Sequence, residues 1–454
     1  MLEINQKQKI ETRNYRHPMT FTDKKLAHLM KESSSWLEAG KKKQVSPPDP
    51  SAGPRELHFE LTYSCNQQCL MCDIWPRYRN EPSLKKQELT VDEIKSMVEN
   101  SNLLRDLELI LFSGGEPFLR PDLVPIVTFF AERYPASQLV ILSNFFDRKL
   151  VLGKLGEILE AVPRANIMLG TSLDGIGESH DSVRGVPEAF DKFREVLEDI
   201  QVKYPQVTVE TNFTITPSNY DQLIPAFTFT REKDIGFSAQ FPIPWEGTEQ
   251  IEWTPDHFKK VEEDISRIME EVYRQESVLI GPPPPRLLIR LQYLKGLLEY
   301  EREPRRIFPH CPAPYRYAMI SPRGDLYFCP KLKEMVVGNI RETPFDELWL
   351  SGKAEKIRRH INSGACHCWL NCTAYINIEK AIERGQPPAR KVLVAAAARS
   401  YGIYRRLLSG VFRSLLLSAR IAVYGLAFIY LLLKIGIIYL GRKLRGSGKE
   451  NRRQ

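Results

Sequence analysis

"LTYSCNQQCLMCDIW", residues 61–75, sets Cys65, Cys69 and Cys72 at a C-x3-C-x2-C spacing directly after the alternating run "ELHFELTY" (56–63). That alternation predicts a β-strand, so the cysteines fall on the loop leaving its C-terminal end. No histidine lies among them, and a structural zinc site, which groups closely spaced ligands in pairs, is left unfinished. Three thiolates can instead hold three irons of a 4Fe-4S cube and leave the fourth iron open to another ligand.

Five more strand-like runs follow: "LELILFS" (107–113), "QLVILSN" (138–144), "NIMLGTSLD" (166–174), "VTVETNFTI" (207–215) and "FSAQFPI" (237–243). Helical patterns separate them. "TVDEIKSMVENSNLL" opens at Thr90 with Glu93 three residues on, a capping box, and "EAFDKFREVLEDIQVKY" carries apolar residues at helical spacing. Strands alternating with helices imply parallel pairing through right-handed crossovers. The expected fold class is α/β, an open partial barrel of six β/α units with its active site at the C-terminal ends of the strands.

A chain of 454 residues exceeds one ordinary core, and the composition shifts suggest five regions. Residues 1–54 read as a polar extension and linker with one short helix near "DKKLAHLMKESSSWLEAG". The core spans 55–280. "GPPPP" (281–285) opens a linker and helix over 281–310, a small cysteine-rich α+β domain fills 311–385, and a basic helical tail runs over 386–454. The N-terminus has no apolar run of the kind a secretory signal needs, so the body is expected in the cytosol, its eight cysteines as thiols rather than disulfides. Residues 390–454 hold 14 Lys or Arg and one acid; against a net charge of +8, this leaves the body slightly acidic. That argues against a nucleic-acid partner for the body and points the tail at anionic lipid or another acidic surface.

The C-x3-C-x2-C loop after the first strand resembles the signature of the radical S-adenosylmethionine (SAM) superfamily. The resemblance implies that Cys65, Cys69 and Cys72 hold a 4Fe-4S cluster whose open iron takes the amino and carboxylate groups of SAM. The second strand runs into "SGGEP" (113–117), by itself an ordinary turn. It resembles the motif that holds the SAM amino group, which gives Gly114, Gly115 and Glu116 that role. The third strand ends in Ser143 and Asn144, where the family places ribose contacts; a capped strand end is the plainer reading. "TSLDGIGESHDSVRG" (171–185) resembles a segment of the subfamily with auxiliary clusters, implying that Ser172 and Arg184 touch the SAM carboxylate and ribose. The alternative for Arg184 is an ion pair within its loop. One departure is Met71, where the family has an aromatic residue; methionine can fill the same apolar space.

"CPAPYRYAMISPRGDLYFCP" places Cys311 and Cys329 around a turn between two strand-like runs, and "CHCWLNC" adds Cys366, Cys368 and Cys372. The layout resembles the SPASM domain, or its shorter twitch form, which binds auxiliary iron-sulfur clusters. Five cysteines complete one four-thiolate cluster with one to spare, and a zinc knuckle would suit the same spacing.

The resemblance implies reductive cleavage of SAM to a 5′-deoxyadenosyl radical, with a flavodoxin- or ferredoxin-type electron donor, and hydrogen abstraction from a substrate. A peptide or protein is the expected substrate. A lipid or lipid-linked compound is the alternative that the tail suggests, and a non-catalytic iron-sulfur or zinc protein is the third reading. "IAVYGLAFIYLLLKIGIIYL" (421–440) is long enough to span a bilayer, yet its basic flanks equally suit an interfacial anchor. Either way residues 390–454 are expected to hold the protein at the cytoplasmic face of a membrane. Trp245 and Glu246 are candidates for lining the substrate cavity.

Overall fold

The computed structural model describes residues 21–43, 47–243, 253–277, 283–364 and 366–387. The candidates Trp245 and Glu246 and the whole of 390–454 lie outside them. The described residues from 21 to 277 and from 285 to 386 belong to one compact unit, whose fold follows.

All six expected strands are present: β1 (Glu56–Thr62), β2 (Leu109–Gly114), β3 (Gln138–Leu142), β4 (Asn166–Ser172), β5 (Thr208–Thr214) and β6 (Gly236–Gln240). They pair in parallel in the sequential order β6-β5-β4-β3-β2-β1, as β/α units with short right-handed crossovers demand. One face is apolar. Leu57, Phe59 and Leu61 of β1 and Ile110 and Phe112 of β2 are buried, and Phe130 of the helix Leu123–Arg133 packs 5.5 Å from both Phe59 and Phe112, ring to ring. Burying a side chain of this size contributes about 1.5–3 kcal/mol, so this face drives the sheet together. The opposite face carries the polar rows, including His58 and Glu60 of β1 and Ser172, Asn212 and Ser238 of β4 to β6.

The cysteine-rich region does not form a separate sheet. β7 (Tyr317–Ile320) pairs in parallel with β1, Glu56 opposite Tyr317 and Phe59 opposite Ile320. β7 turns through Ser321–Gly324 into the antiparallel β8 (Asp325–Tyr327), the expected hairpin, and β9 (Gly338–Asn339) closes the edge. The nine-stranded sheet is thus continuous from one cysteine group to the other.

The capping box at Thr90 also forms, with Glu93 returning to the Thr90 backbone N–H at 2.7 Å. The short helix expected within residues 1–54 forms as Lys24–Lys42, and it packs into the core rather than serving as part of a polar extension. Leu26, Leu29, Met30, Ser33, Trp36, Leu37 and Gly40 are buried at helical spacing. Gly40 and Gly385 bring this helix and Asn371–Gly385 close: a Cβ on Gly40 would stand 1.8 Å from the Ala381 carbonyl oxygen. The lysines and glutamates of Lys24–Lys42 lie mostly on its exposed face, so average polarity gave no sign of the buried stripe. Among the described residues no helix is long and apolar enough to cross a membrane.

Candidate active site

The loop after β1 starts with a register shift between Glu60 and Thr62, which frees the chain from its neighbour β2. Cys65 and Cys72 are half-buried and Cys69 is buried, all as free thiols. The loop is pinned to the helix Glu178–Arg184: the Gln68 N–H donates to the Arg184 carbonyl and the Leu70 N–H to that of Val183, both at 3.0 Å. The indole N–H of Trp75 donates to the Cys69 carbonyl at 3.1 Å. Burial pushes the Cys65 thiol up to about 12 and raises Cys69 too; the neighbouring thiols add to the rise and Arg184 opposes it. Such thiols must lose their protons to take a metal, so loading this loop releases acid.

The Gly-Gly-Glu loop grips the cysteine loop from the side of β2. The Gly115 N–H donates to the Thr62 carbonyl at 2.7 Å and the Glu116 N–H to that of Ser64 at 2.8 Å. A Cβ on Gly114 or Gly115 would lie 2.2 Å from those same oxygens, and Gly114 has φ +116°. The close approach that these glycines permit is therefore to the backbone of the cysteine loop itself. Arg120 reinforces it, donating to the Leu61 carbonyl at 2.7 Å while pairing with Asp122.

Glu116 is 1% exposed. It accepts from the Asn144 N–H at 2.7 Å, from Ser143 Oγ at 3.2 Å and from the Phe118 N–H at 3.1 Å. Burial nevertheless lifts its carboxyl to about 7, against the pull of those donors and of Arg184. Asn144 reaches the cysteine loop as well, its Nδ2 donating to Asn66 Oδ1 at 2.7 Å and lying 3.8 Å from Cys65 Sγ. Its side-chain oxygen accepts from the Phe146 N–H, so its amide is engaged at both ends within the protein.

Arg184 closes the other side. Its Nη1 donates to Asp174 Oδ2 at 2.9 Å, the ion pair foreseen as its alternative role, and its Nε to Gln67 Oε1 at 2.9 Å. Asp174, fully buried, also accepts from the Thr214 N–H at 2.7 Å, and its carbonyl accepts from Asn219 Nδ2. Burial pushes the Asp174 carboxyl up while Arg184 pulls it down; Asp174 and the two thiols Cys65 and Cys69 favour the charged guanidinium. Ser172 ends β4 in register with Asn212, which is in register with Ser238 on β6, one polar rung beneath these groups. Gln67, Arg120 and Asn219 belong to no motif singled out in the sequence; only their buried partners reveal them.

In the second group, Cys311, Cys329 and Cys372 pack together around Ala313 and Tyr317. Cys368 lies 3.8 Å from the Thr373 hydroxyl. Burial pushes the Cys311, Cys329 and Cys372 thiols upward, Cys311 to about 12, and Cys368 contributes to each rise. Burial and Cys368 raise the Cys366 thiol as well, while Lys331 and Arg306 beside it pull it down. The adjoining His367 carbonyl takes Lys331 Nζ at 2.5 Å, and its ring Nδ1 meets the Tyr300 hydroxyl at 2.9 Å. Among the described residues no three His, Cys, Asp or Glu side chains group tightly enough to hold a single metal ion. Both sets are nevertheless what iron-sulfur ligation asks for: free, buried or half-buried thiols gathered from loops on a rigid sheet.

Residues 59–227 match the family model of the radical SAM superfamily, and residues 311–373 match that of the iron-sulfur cluster-binding SPASM domain. Among curated proteins, the chain is 28% identical over 306 residues to an AdoMet-dependent heme synthase of Methanosarcina barkeri, covering 65% of this chain and 82% of that one. It is 24% identical over 356 residues to an Fe-coproporphyrin III synthase of the same organism (69% and 80%). It is also 24% identical over 305 residues to a pre-heme d1 synthase of Dinoroseobacter shibae (64% and 72%). All three bear enzyme names, and the reading of a non-catalytic iron-sulfur or zinc protein falls away. Three cysteines on the first strand's loop and five more between Cys311 and Cys372 thus have one common explanation: the chain belongs to the radical SAM superfamily with a C-terminal SPASM domain, an enzyme that works with SAM, a 4Fe-4S cluster and an auxiliary iron-sulfur cluster.

Proposed function

We propose that Cys65, Cys69 and Cys72 hold the SAM-binding cluster, that Glu116 takes the ammonium of SAM, and that Arg184 takes its carboxylate with the nitrogen left over from Asp174 and Gln67. Bound there and reduced, the cluster supplies the electron that splits SAM into methionine and a 5′-deoxyadenosyl radical, which takes a hydrogen atom from the substrate. The protein's part is to orient SAM between two buried charged groups and to keep water from the radical. Ser172 contributes a hydroxyl at the mouth of the polar rung. We assign the auxiliary cluster to Cys311, Cys329, Cys368 and Cys372, with Cys366 the spare thiol, and infer a flavodoxin- or ferredoxin-type electron donor.

For the substrate we favour a peptide or protein, and one observation carries this choice. The polar groups without partners on the inner face of β5 and β6 are neutral: Asn212 Oδ1 and Gln240 Oε1. The cation beside this wall, Arg290, which donates to the Phe237 carbonyl of β6, is already matched with Glu276 at 2.6 Å. Such a wall suits amide and hydroxyl groups better than carboxylates. A second reading, a tetrapyrrole, rests on the names of the three relatives. A lipid-linked substrate rests on the composition of residues 390–454, which we propose tether the enzyme to the cytoplasmic face of a membrane.

Anaerobic 5′-deoxyadenosine formation by the reduced, reconstituted protein tests all three, with peptide extract, Fe-coproporphyrin III or membrane-lipid extract from the source cells added in parallel. Peptide extract alone is expected to stimulate. Stimulation by the porphyrin or by lipid instead would replace the peptide reading. Truncation before residue 390, followed by membrane fractionation, tests the tether.

A further inference from the structure

Gln67 lies midway between Cys65 and Cys69 and is 1% exposed. Its side-chain oxygen accepts from Arg184 Nε at 2.9 Å, while its Nε2 is buried without any partner. The orientation of this amide is not arbitrary. A guanidinium has only donors, so the oxygen must face Arg184 and the NH2 group must face away from it. An unmade bond of this kind costs about 1–3 kcal/mol, and a native protein keeps such a group for a reason.

The surroundings narrow the missing acceptor. The Gln67 backbone N–H already donates toward the Cys65 sulfur, and the charge on Arg184 is felt by both Cys65 and Cys69. The amide is therefore enclosed by the cysteine loop and by a cation, surroundings that suit an anionic acceptor. We propose that Gln67 Nε2 donates a hydrogen bond to a sulfur of the cluster held by Cys65, Cys69 and Cys72, so that one side chain links that cluster to Arg184. The proposal rests on the ligand assignment above. Gln67 is a positioning residue: it steadies the guanidinium with its oxygen and tunes the cluster with its nitrogen. A donor to a cluster sulfur stabilises the more negative, reduced state, so its presence raises the reduction potential.

Two variants of the full-length protein separate this role from a structural one. Gln67→Glu keeps an acceptor for Arg184 and replaces the donor by an oxygen; Gln67→Leu removes both. Each is reconstituted anaerobically, its iron and sulfide are counted, and the cluster whose electron paramagnetic resonance signal changes on adding SAM is followed in a potentiometric titration. Both variants are expected to titrate at a more negative potential than wild type. Gln67→Leu, which also frees Arg184, is expected to bind SAM about tenfold more weakly by equilibrium dialysis. Wild-type potentials in both variants overturn the proposal, as does a Gln67→Glu protein that loads its cluster and titrates unchanged while Gln67→Leu fails to load. Cys72→Ala is the control for the underlying assignment. If the SAM-sensitive signal survives in Cys72→Ala, the ligand set is wrong; if it is lost there but unmoved in the Gln67 variants, only the role of Gln67 fails.

Discussion

Lys333, four residues beyond Cys329 at the end of the hairpin, sets its ammonium 3.0 Å from Glu60 Oε1 on the first strand, with both side chains almost sealed from water. Glu60 Oε2 also accepts from Tyr63 at 3.0 Å and from Tyr327. Tyr63 stands two residues before Cys65 and Tyr327 two before Cys329, so one carboxylate joins the approaches to both cysteine groups. Removing one partner of a buried pair strands the other charge at a cost of about 3–5 kcal/mol. Lys333→Ala is therefore expected to lower the denaturant midpoint sharply, whereas Glu60→Gln with Lys333→Met should recover most of the loss. Equal stability of the single and double variants would show that the pair does not couple.

The Gly-Gly-Glu loop makes a second prediction about stability. A methyl group at Gly115 would lie 2.2 Å from the Ser64 carbonyl oxygen, which is backbone and cannot step aside. Gly115→Ala should cost about 1–3 kcal/mol and loosen the cysteine loop. Gly153, within the helix Arg148–Ala161, has nothing within 4 Å of its missing Cβ, and Gly153→Ala should instead add about 0.5–1 kcal/mol. Thermal unfolding of the two variants side by side checks the contrast.

Glu116 gives the pH dependence. Its folded carboxyl is raised to about 7 from 4.5, so folding of the ligand-free protein takes up a proton between those values. Its contribution to stability is full below pH 4.5 and is lost as pH rises through 7. The proposed role in binding an ammonium requires the carboxylate, so SAM affinity should run the other way, falling up to tenfold per unit below about pH 7. Equilibrium binding across pH 5.5 to 8.5 should show this slope in wild type and a flatter profile in Glu116→Gln. A slope that Glu116→Gln leaves unchanged would assign the titration to another group.

Strand positions were legible because each strand pairs an alternating or continuous apolar run with a nearby turn signal, and β1 to β6 fall within three residues of those runs. The cysteines were legible by spacing. Less visible were contacts between distant segments. Nothing local in "CNQQC" says that Gln67 meets Arg184 117 residues away, or that Asn144 reaches Asn66. The helix Lys24–Lys42 was itself expected, but its packing was not, for a different reason. Its buried stripe includes Ser33 and Gly40, which no hydrophobicity count registers: the close approach of Asn371–Gly385 requires Gly40, and Ser33 accepts from Gln292 of the helix Pro285–Arg302 at 2.7 Å.

The fate of five cysteines where four suffice can be decided by iron counting. Cys311, Cys329 and Cys372 share one packed cluster of side chains, and Cys368 acts on all three thiols. Cys366 sits at the edge of that group beside Lys331 and Arg306, cations that can balance a charged thiolate without a metal. Cys366→Ser should therefore retain the iron and sulfide of the auxiliary cluster, while Cys329→Ser and Cys372→Ser should each lose about one cluster's worth, some 4 irons per chain. All three should still cleave SAM, because the loop after β1 is untouched. Loss of iron in Cys366→Ser with retention in Cys368→Ser would exchange the two residues and place the ligand on the side facing Lys331.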